Sequence, residues 1–189
     1  MEKKGKEALI FRRNSVEFVT VAAEYCNILE SCYQMNREEF IATMTKVLPL
    51  LYLKAVILES EEAMIMKDED ADFEQTVTEE SYEDLRNALS KLIARGDDYL
   101  DVFVEEMRYS DQPVTQYISE NLADIYQDIK NFIHIFRMGE HAAMNDSLCQ
   151  CIENFRLYWG QKALGSLRAL HQIRFEQQDS THDNDPEQD

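Results

Sequence analysis

Apolar residues recur at the three- and four-residue spacing of an amphipathic α-helix along most of this 189-residue chain. The segment SVEFVTVAAEYCNILESCY shows the spacing clearly, with Phe18, Ala22, Tyr25 and Ile28 on one stripe and polar residues opposite. Six further segments repeat the pattern, at 37–47, 50–64, 79–95, 119–138, 141–159 and 161–178. Because no alternating strand pattern accompanies them, the sequence predicts an all-α, single-domain bundle of about six or seven helices.

Capping and breaking residues predict where these helices begin and end. Polar side chains predict helix starts at Asn14 or Ser15, at Asn36, at Thr78 and at Ser119. Pro49 lacks a backbone donor, so we expect it to stop or kink one helix and to begin the next. Glycines are expected to end three others, at Gly96, Gly139 and Gly160. Residues 97–118 follow no clear pattern, and we expect a short helix or an irregular connection there.

The net charge of −18 is concentrated in two acidic strips, residues 59–84 and residues 176–189, which together carry −17. The rest of the chain is nearly neutral. Runs of like charge repel themselves and bury little apolar surface, so they favour solvated segments. We therefore predict a flexible basic leader at 1–13, a bundle at 14–176 with an acidic loop near 67–78, and a disordered acidic tail at 177–189.

The same charge distribution bears on partners and location. Nucleic acid is excluded as a partner, because phosphate binding needs a basic patch and the chain offers none. The most apolar stretch, residues 47–58, contains Pro49 and Lys54 and falls short of the ~18 residues that cross a membrane. The N-terminus carries no apolar signal segment, and four cysteines give no disulfide framework. We expect a cytoplasmic bacterial protein that is not attached to a membrane.

Asp124, Asp128 and His134 resemble a metal or acid–base site on one helix. Asp124 and His134 are ten residues apart, which is about 15 Å along a helix, so one ion cannot be held by all three. The Glu-x-x-His pair of di-iron bundles is missing from the chain. We interpret Asp124 and Asp128 as part of a polar stripe beside the apolar face, paired with a base on a neighbouring helix.

Two other patterns resemble metal sites. Residues 68–79 place acids at calcium-loop spacing, but the position that needs glycine holds Phe73, so a solvated linker competes with a weak cation site. The cysteine pairs are badly phased for zinc, with Cys149 and Cys151 about 200° apart around a helix. The cysteines are predicted to be buried and structural, and we predict neither a resident metal nor a cofactor.

Two segments carry a resemblance to a known family. LADIYQDIK at 122–130 and YWGQKALGSLRALH at 158–171 resemble the signature segments of an uncharacterised bacterial all-helical family, known only as a domain of unknown function. The similarity runs from about Ser15 to Ile173. The resemblance implies the helical fold and implies no activity.

Trp159, Arg168 and His171 form the remaining candidate cluster. An arginine and a histidine near an aromatic ring can recognise a carboxylate or a phosphate. The competing interpretation is a histidine at the edge of the core and an arginine in a structural pair. We predict a cross-helix ion pair between Arg168 and Asp124, because both lie in the two family-like segments.

The sequence thus supports two hypotheses of function. The first is a small helical interaction module without catalytic activity, whose acidic strips face solvent or a protein partner with a basic surface. The second is a ligand-binding or enzymatic bundle with a polar site at Asp124, Asp128, Trp159, Arg168 and His171. Nucleophile and phosphate-loop motifs are missing, which favours the first.

Overall fold

Helices form most of the described chain, as the periodicity predicts. The computed structural model describes residues 8–61, 64–66, 68, 73–102 and 113–182, with the side chains of 176–182 left out. The helices are α1 (Arg13–Glu30), α2 (Arg37–Glu59), α3 (Glu79–Ile93), α4 (Ile118–Met138), α5 (His141–Asn154) and α6 (Gly160–His182). A π-helical turn, Phe155–Trp159, joins α5 to α6 without a break. The described residues therefore contain five continuous helices, slightly fewer than predicted.

α4 lies at the centre of the bundle. It packs against α1, α3, α5 and α6, and α2 closes the other side by packing against α1 and α6. Ile125, Ile129 and Leu122 of α4 are completely buried, and Phe132 of the same helix stacks against Phe18 of α1. Asn121 of α4 is buried and Asp124 and Asp128 are half-buried among these neighbouring helices, and this places the candidate site.

Pro49 lies inside α2, so the prediction that a third helix begins there is wrong. The core-facing positions continue through the proline in phase, with Met44, Leu48, Leu51, Ala55 and Leu58 all fully buried. A proline inside a helix costs about 3 kcal/mol. Each large apolar side chain buried contributes about 1.5–3 kcal/mol, so several together outweigh the proline.

Gly160 also continues a helix that it was expected to break. A Cβ at this position would lie 2.6 Å from the backbone oxygen of Phe155 and 2.9 Å from its ring, so the absent side chain lets the π turn close. Trp159 is fully buried, and its Nε1 donates to the carbonyl oxygen of Cys151 at 3.0 Å. The glycine therefore permits tight packing here instead of ending the helix.

In the region 97–118 the described residues form a β-hairpin where a short helix or an irregular connection was expected, and residues 103–112 lie outside the described residues. Strand β1 (Asp98–Asp101) pairs antiparallel with β2 (Val114–Tyr117), with Asp98 opposite Tyr117. Asp97, just before β1, caps α4: its carboxylate accepts hydrogen bonds from the Ser119 backbone N–H at 2.8 Å and the Ser119 hydroxyl at 2.7 Å. A carboxylate is favourable at a helix N-terminus, so the hairpin fixes the start of the central helix.

The predicted caps at Asn36 and Thr78 are confirmed, since both side chains accept a backbone N–H in the first turn. The first helix starts at Arg13, a little before the expected cap. Ahead of it, Leu9 and Ile10 are buried in a short 3-10 turn, so the packed chain reaches into the range expected to be a leader. At the other end α6 continues to His182, and the rest of the predicted tail lies outside the described residues.

The described parts of the acidic strip 59–84 between α2 and α3 are irregular but anchored. Ile65 accepts from the side chain of Asn145 at 3.1 Å, and the Asp68 backbone N–H donates to Asp146 at 3.1 Å. Asn131 of α4 accepts from the backbone N–H of Thr76 at 2.9 Å. This segment therefore lies against α4 and α5 at three points. Residues 64–66 are not helical, so α2 does not extend into them.

Candidate functional site

Four polar residues on α4 share one face: Asn121, Asp124, Asp128 and Asn131, which we call the polar seam. Their spacing of three, four and three residues keeps them on one side of the helix. This is the polar stripe that the sequence predicts beside the apolar face. Its two ends differ, because the Asp124 end is closed by hydrogen bonds and the Asp128 end borders a cleft.

Asp124 is fully paired. The Tyr82 hydroxyl donates to its Oδ1 at 2.8 Å, and the Lys162 ammonium contacts Oδ2 at 2.7 Å. The Asp124 and Lys162 side chains are only 13% and 20% exposed, so their ion pair is largely shielded from water. The predicted pair with Arg168 is wrong, since Arg168 donates instead to the backbone oxygen of Leu100 at 2.9 Å.

Lys162 extends this network to the hairpin. Its ammonium donates to Asn121 Oδ1 at 3.2 Å and lies 4.8 Å from the centre of the Tyr158 ring. Asn121 in turn donates to the Tyr99 hydroxyl at 2.7 Å. A Cβ on Gly165 would lie 2.4 Å from that hydroxyl, so glycine at this position makes room for it. The network thus joins α3, α4, α6 and β1.

The ionisation of these groups argues against a general base. Burial alone would lower the pKa of Lys162, but its hydrogen bond and ion pair with Asp124 offset this and raise the pKa. Burial, together with the Asp124 carboxylate, raises the pKa of Tyr82, and burial raises the pKa of Tyr99 to about 12. At neutral pH the amine and the phenols therefore keep their protons, and the network supplies structural hydrogen bonds.

Asp128, one turn further along α4, has a different environment. Its Oδ1 accepts from the Asn154 side chain at 2.9 Å, and within the described residues no Lys, Arg or His forms an ion pair with it. Burial raises the pKa of Asp128, and the nearby Asp124 carboxylate raises it further, while Asn154 acts in the opposite direction. The side chain borders a cleft of about 140 Å³ between α4, α5 and the chain leading to α3.

The remaining predicted site residues do not share a cavity with Asp124. Trp159 is fully buried and uses its only polar atom on Cys151. Arg168 and His171 are exposed, and the His171 ring lies 4.6 Å from the ring of Phe175. Trp159 and Arg168 are nine residues apart, which places them about 180° apart around a helix. Lys162 took the role expected of Arg168 because it lies on the face of α6 that packs against α4.

Metal-like patterns find no support in the described part of the chain. All four cysteines are buried and none of them forms a disulfide, and burial raises the pKa of Cys26 to about 12, which keeps it an unreactive thiol. Among the described residues there is no group of three His, Cys, Asp or Glu side chains that could hold an ion. Two of the four acids at calcium-loop spacing, Asp70 and Asp72, lie outside the described residues.

A second candidate surface was missed by the sequence reasoning. We call it the α2–α6 apolar face, and it consists of exposed side chains on α2, the π turn and α6: Pro49, Leu50, Leu53, Val56, Leu157 and Leu164. α2 is long and apolar enough to cross a membrane by length and composition, yet only 33% of that window is buried. The mean hydropathy of 1.7 in α2 was the signal that could have revealed it.

Contacts between α2 and α6 show how this face is assembled. Arg174 of α6 donates to Thr45 of α2 at 2.6 Å, and at the other end Arg156 of the π turn lies 3.4 Å from Glu59. Between them the rings of Tyr52 and Phe155 are 5.1 Å apart. α2 and α6 are therefore antiparallel neighbours. The exposed Pro49 and Val56, one turn to either side of Tyr52, border α6 and its π turn.

The sequence profile of a family described as a domain of unknown function, DUF5063, matches residues 10–176. The chain belongs to this family. The crystal structure of protein BF1032 from Bacteroides fragilis is similar to it, with 48% sequence identity and a TM-score of 0.77. The match covers 88% of this chain and 96% of that chain. No curated protein matches. The family resemblance predicted from the sequence is thereby confirmed, and it leaves the function unknown.

Proposed function

We propose that this chain is a cytoplasmic, non-catalytic binding module that docks a basic amphipathic helix of a partner protein on the α2–α6 apolar face. The observation that supports this most is that α2 is apolar on its outer face as well as on its core face. Leu53 is 51% exposed and Leu157 is 74% exposed. The middle of α2 therefore exposes Leu50, Leu53 and Val56 on its outer face, where a surface helix normally carries polar residues. Contiguous exposed apolar surface is typical of protein-binding sites.

Charge at the two ends of the face supports a basic partner. The acidic strip 59–84 begins at the last residue of α2, and the acidic strip 176–189 begins in the last two turns of α6. Because α2 and α6 are antiparallel, these strips begin at opposite ends of the face. From Thr45 to Glu59 is about 21 Å along a helix. A helix of similar length, with an apolar stripe and basic residues at both ends, would match this arrangement.

The same charges disfavour two other occupants. A second copy of this chain would bring another −18 of charge against the face, and like-charge contacts oppose association. An anionic lipid surface would repel the acidic strips in the same way. A partner segment of opposite charge gains from both the apolar contact and the electrostatic attraction.

The test is binding of a designed peptide to the full chain, measured by fluorescence anisotropy. The peptide has a leucine stripe with lysines and arginines at both ends, and a scrambled peptide of the same composition is the control. We expect saturable binding of the designed peptide that weakens strongly between about 50 mM and 500 mM salt, because screening removes the electrostatic part. Leu53→Ser with Leu164→Ser should weaken binding at least tenfold.

Met138→Ser is the matched control, since Met138 is 67% exposed at the end of α4 and lies outside the face. It should leave peptide binding unchanged. Equal binding of the designed and scrambled peptides would overturn the proposal. It would also be overturned if Met138→Ser weakened peptide binding as much as the Leu53→Ser, Leu164→Ser double variant. Partition of the chain onto lipid vesicles, with no peptide binding, would identify a membrane as the occupant and would likewise contradict a protein partner.

A further inference from the structure

We propose that the cleft at Asp128 binds a primary alkylammonium group, such as a lysine side chain or a small amine. This inference is independent of the α2–α6 apolar face, because it concerns α4, α5 and the chain between α2 and α3. The two carboxylates of the polar seam differ in their counter-ions. Asp124 has Lys162 as its cation, whereas Asp128 accepts a hydrogen bond from the Asn154 amide and forms no ion pair among the described residues. A half-buried carboxylate is costly without a compensating charge.

The cleft supplies the acceptors that an ammonium group needs. Ammonium donates three hydrogen bonds and accepts none, so a suitable site is rich in oxygen atoms. Besides the Asp128 carboxylate, the side chains of Gln75, Ser147, Gln150 and Asn154 line the cleft, and each carries an oxygen that can accept. Within the described part of the chain, the lining of the cleft includes no lysine or arginine that would compete for the carboxylate.

Size and apolar walls favour an alkyl amine over a bare cation. A volume of about 140 Å³ is several times the roughly 30 Å³ share of one water molecule. Phe73, Phe132 and Ile135 also line the cleft and can contact methylene groups, and an aromatic face also attracts an ammonium head. Metal ions fit poorly, because among the described residues Asp128 is the only carboxylate that lines the cleft.

The position of Asp128 in the seam supports a binding role. Asparagine in its place would have similar shape and no charge to desolvate, so the carboxylate gives the fold nothing that an amide would not. Residues that break a local rule of stability are found preferentially at functional sites. An ammonium ion bound in the cleft would neutralise the Asp128 carboxylate, as Lys162 neutralises the Asp124 carboxylate.

The experiment is a titration of the full-length ¹⁵N-labelled chain with n-butylammonium chloride, followed by amide chemical shifts, with n-butanol as the neutral control. We expect saturable shifts centred on the cleft, at residues such as Ser147, Gln150 and Asn154, and no matching shifts with n-butanol. The Asp128→Asn variant should weaken binding at least tenfold. Asp84→Asn removes an equal charge from an exposed position on α3 and should change it less than twofold.

A wild-type chain with no saturable shift at the cleft, or with equal shifts for butanol, would overturn the proposal and leave the cleft as a site for water only. Equal weakening by Asp84→Asn and Asp128→Asn would also overturn it, because the attraction would then come from net charge alone. The shift map needs no variant, so a poorly folded Asp128→Asn chain would not block the test. An acetylated Lys-containing tripeptide that binds more tightly than butylammonium would identify a peptide side chain as the ligand, and weaker binding would identify a free amine.

Discussion

Asp124 and Asp128 lie one turn apart on the same helix, and their environments differ. Asp124 receives a phenol and an ammonium group, whereas Asp128 receives one amide and faces a cleft. The difference comes from the neighbouring elements. α6 and α3 bring Lys162 and Tyr82 to the first carboxylate, and α5 brings only Asn154 to the second. Identical residues on one helix therefore play different roles according to what packs against them.

The two carboxylates also differ in whether they can take part in binding a ligand. The hydrogen-bond network around Asp124 orients the helices that it joins. Because its polar groups already have partners in the fold, it offers no site for a ligand. A carboxylate without a cation adds little to the fold, and it leaves a place for an external charge. We therefore assign the Asp124 end of the polar seam to structure and the Asp128 end to recognition. Four predictions test this division.

Lys162→Met should have the largest effect. It leaves the Asp124 carboxylate largely buried without its cation, and breaking such a pair costs about 3–5 kcal/mol when burial is complete. Because both side chains retain some exposure, we expect a loss of about 2–4 kcal/mol in the free energy of unfolding, measured with urea at pH 7. The double variant Asp124→Asn, Lys162→Met should recover part of the loss. Additive effects of the two substitutions would show that the pair does not interact.

Gly165→Ala should destabilise the fold by disturbing the hydrogen-bond network at the Asp124 end of the polar seam, which includes the Tyr99 hydroxyl. The new Cβ would lie 2.4 Å from the Tyr99 hydroxyl, and overpacking of this kind costs about 1–3 kcal/mol. The higher helix propensity of alanine returns about 1 kcal/mol, so the expected net loss is about 0–2 kcal/mol. In a Tyr99→Phe background the close contact disappears, and Gly165→Ala should then be neutral or stabilising. An equal loss in both backgrounds would place the strain elsewhere.

Asp128→Asn should stabilise the chain at neutral pH. The pKa of Asp128 is raised in the folded state, chiefly by burial, so the folded state favours the protonated carboxyl. The favourable contribution of that carboxyl is present below the unfolded pKa of about 3.9 and is lost as pH rises through the folded pKa. The gain in the free energy of unfolding from Asp128→Asn should therefore be largest at pH 7 and should shrink towards about pH 3. Urea unfolding of both chains at the two pH values measures it, and a constant difference would contradict the assignment.

Arg168→Met should have the smallest effect. Its guanidinium is exposed and donates to the Leu100 carbonyl at the edge of the hairpin, and surface substitutions of this kind usually stay within about 0.5 kcal/mol. It is also the matched control for Lys162→Met, because both remove one positive charge from α6. A loss from Arg168→Met as large as that from Lys162→Met would mean that the hairpin contact, not the Asp124 pair, holds these elements together.

The helices and their core faces could be predicted from the sequence because periodicity is a local property. The stripe of Phe18, Ala22, Tyr25 and Ile28 is buried as expected, and the caps at Asn36 and Thr78 are confirmed. The errors arose where a local signal was outweighed by packing. Pro49 and Gly160 both break isolated helices, yet here the core carries the helix through each of them. The hairpin was missed because its strands are four residues long, too short for an alternating pattern to stand out.

In the candidate site too, features within one helix could be predicted from the sequence, and contacts between helices could not. The sequence alone placed Asp124 and Asp128 on one polar face of one helix and concentrated the negative charge in two strips. Only the tertiary structure decided that Lys162, and not Arg168, pairs with Asp124, that Trp159 is sealed in the core, and that Asp128 borders a cleft. The physical reason is that a pairing between helices depends on which face of each one is turned towards the other. That choice is made by the packing of the whole core, which no short segment of the sequence contains.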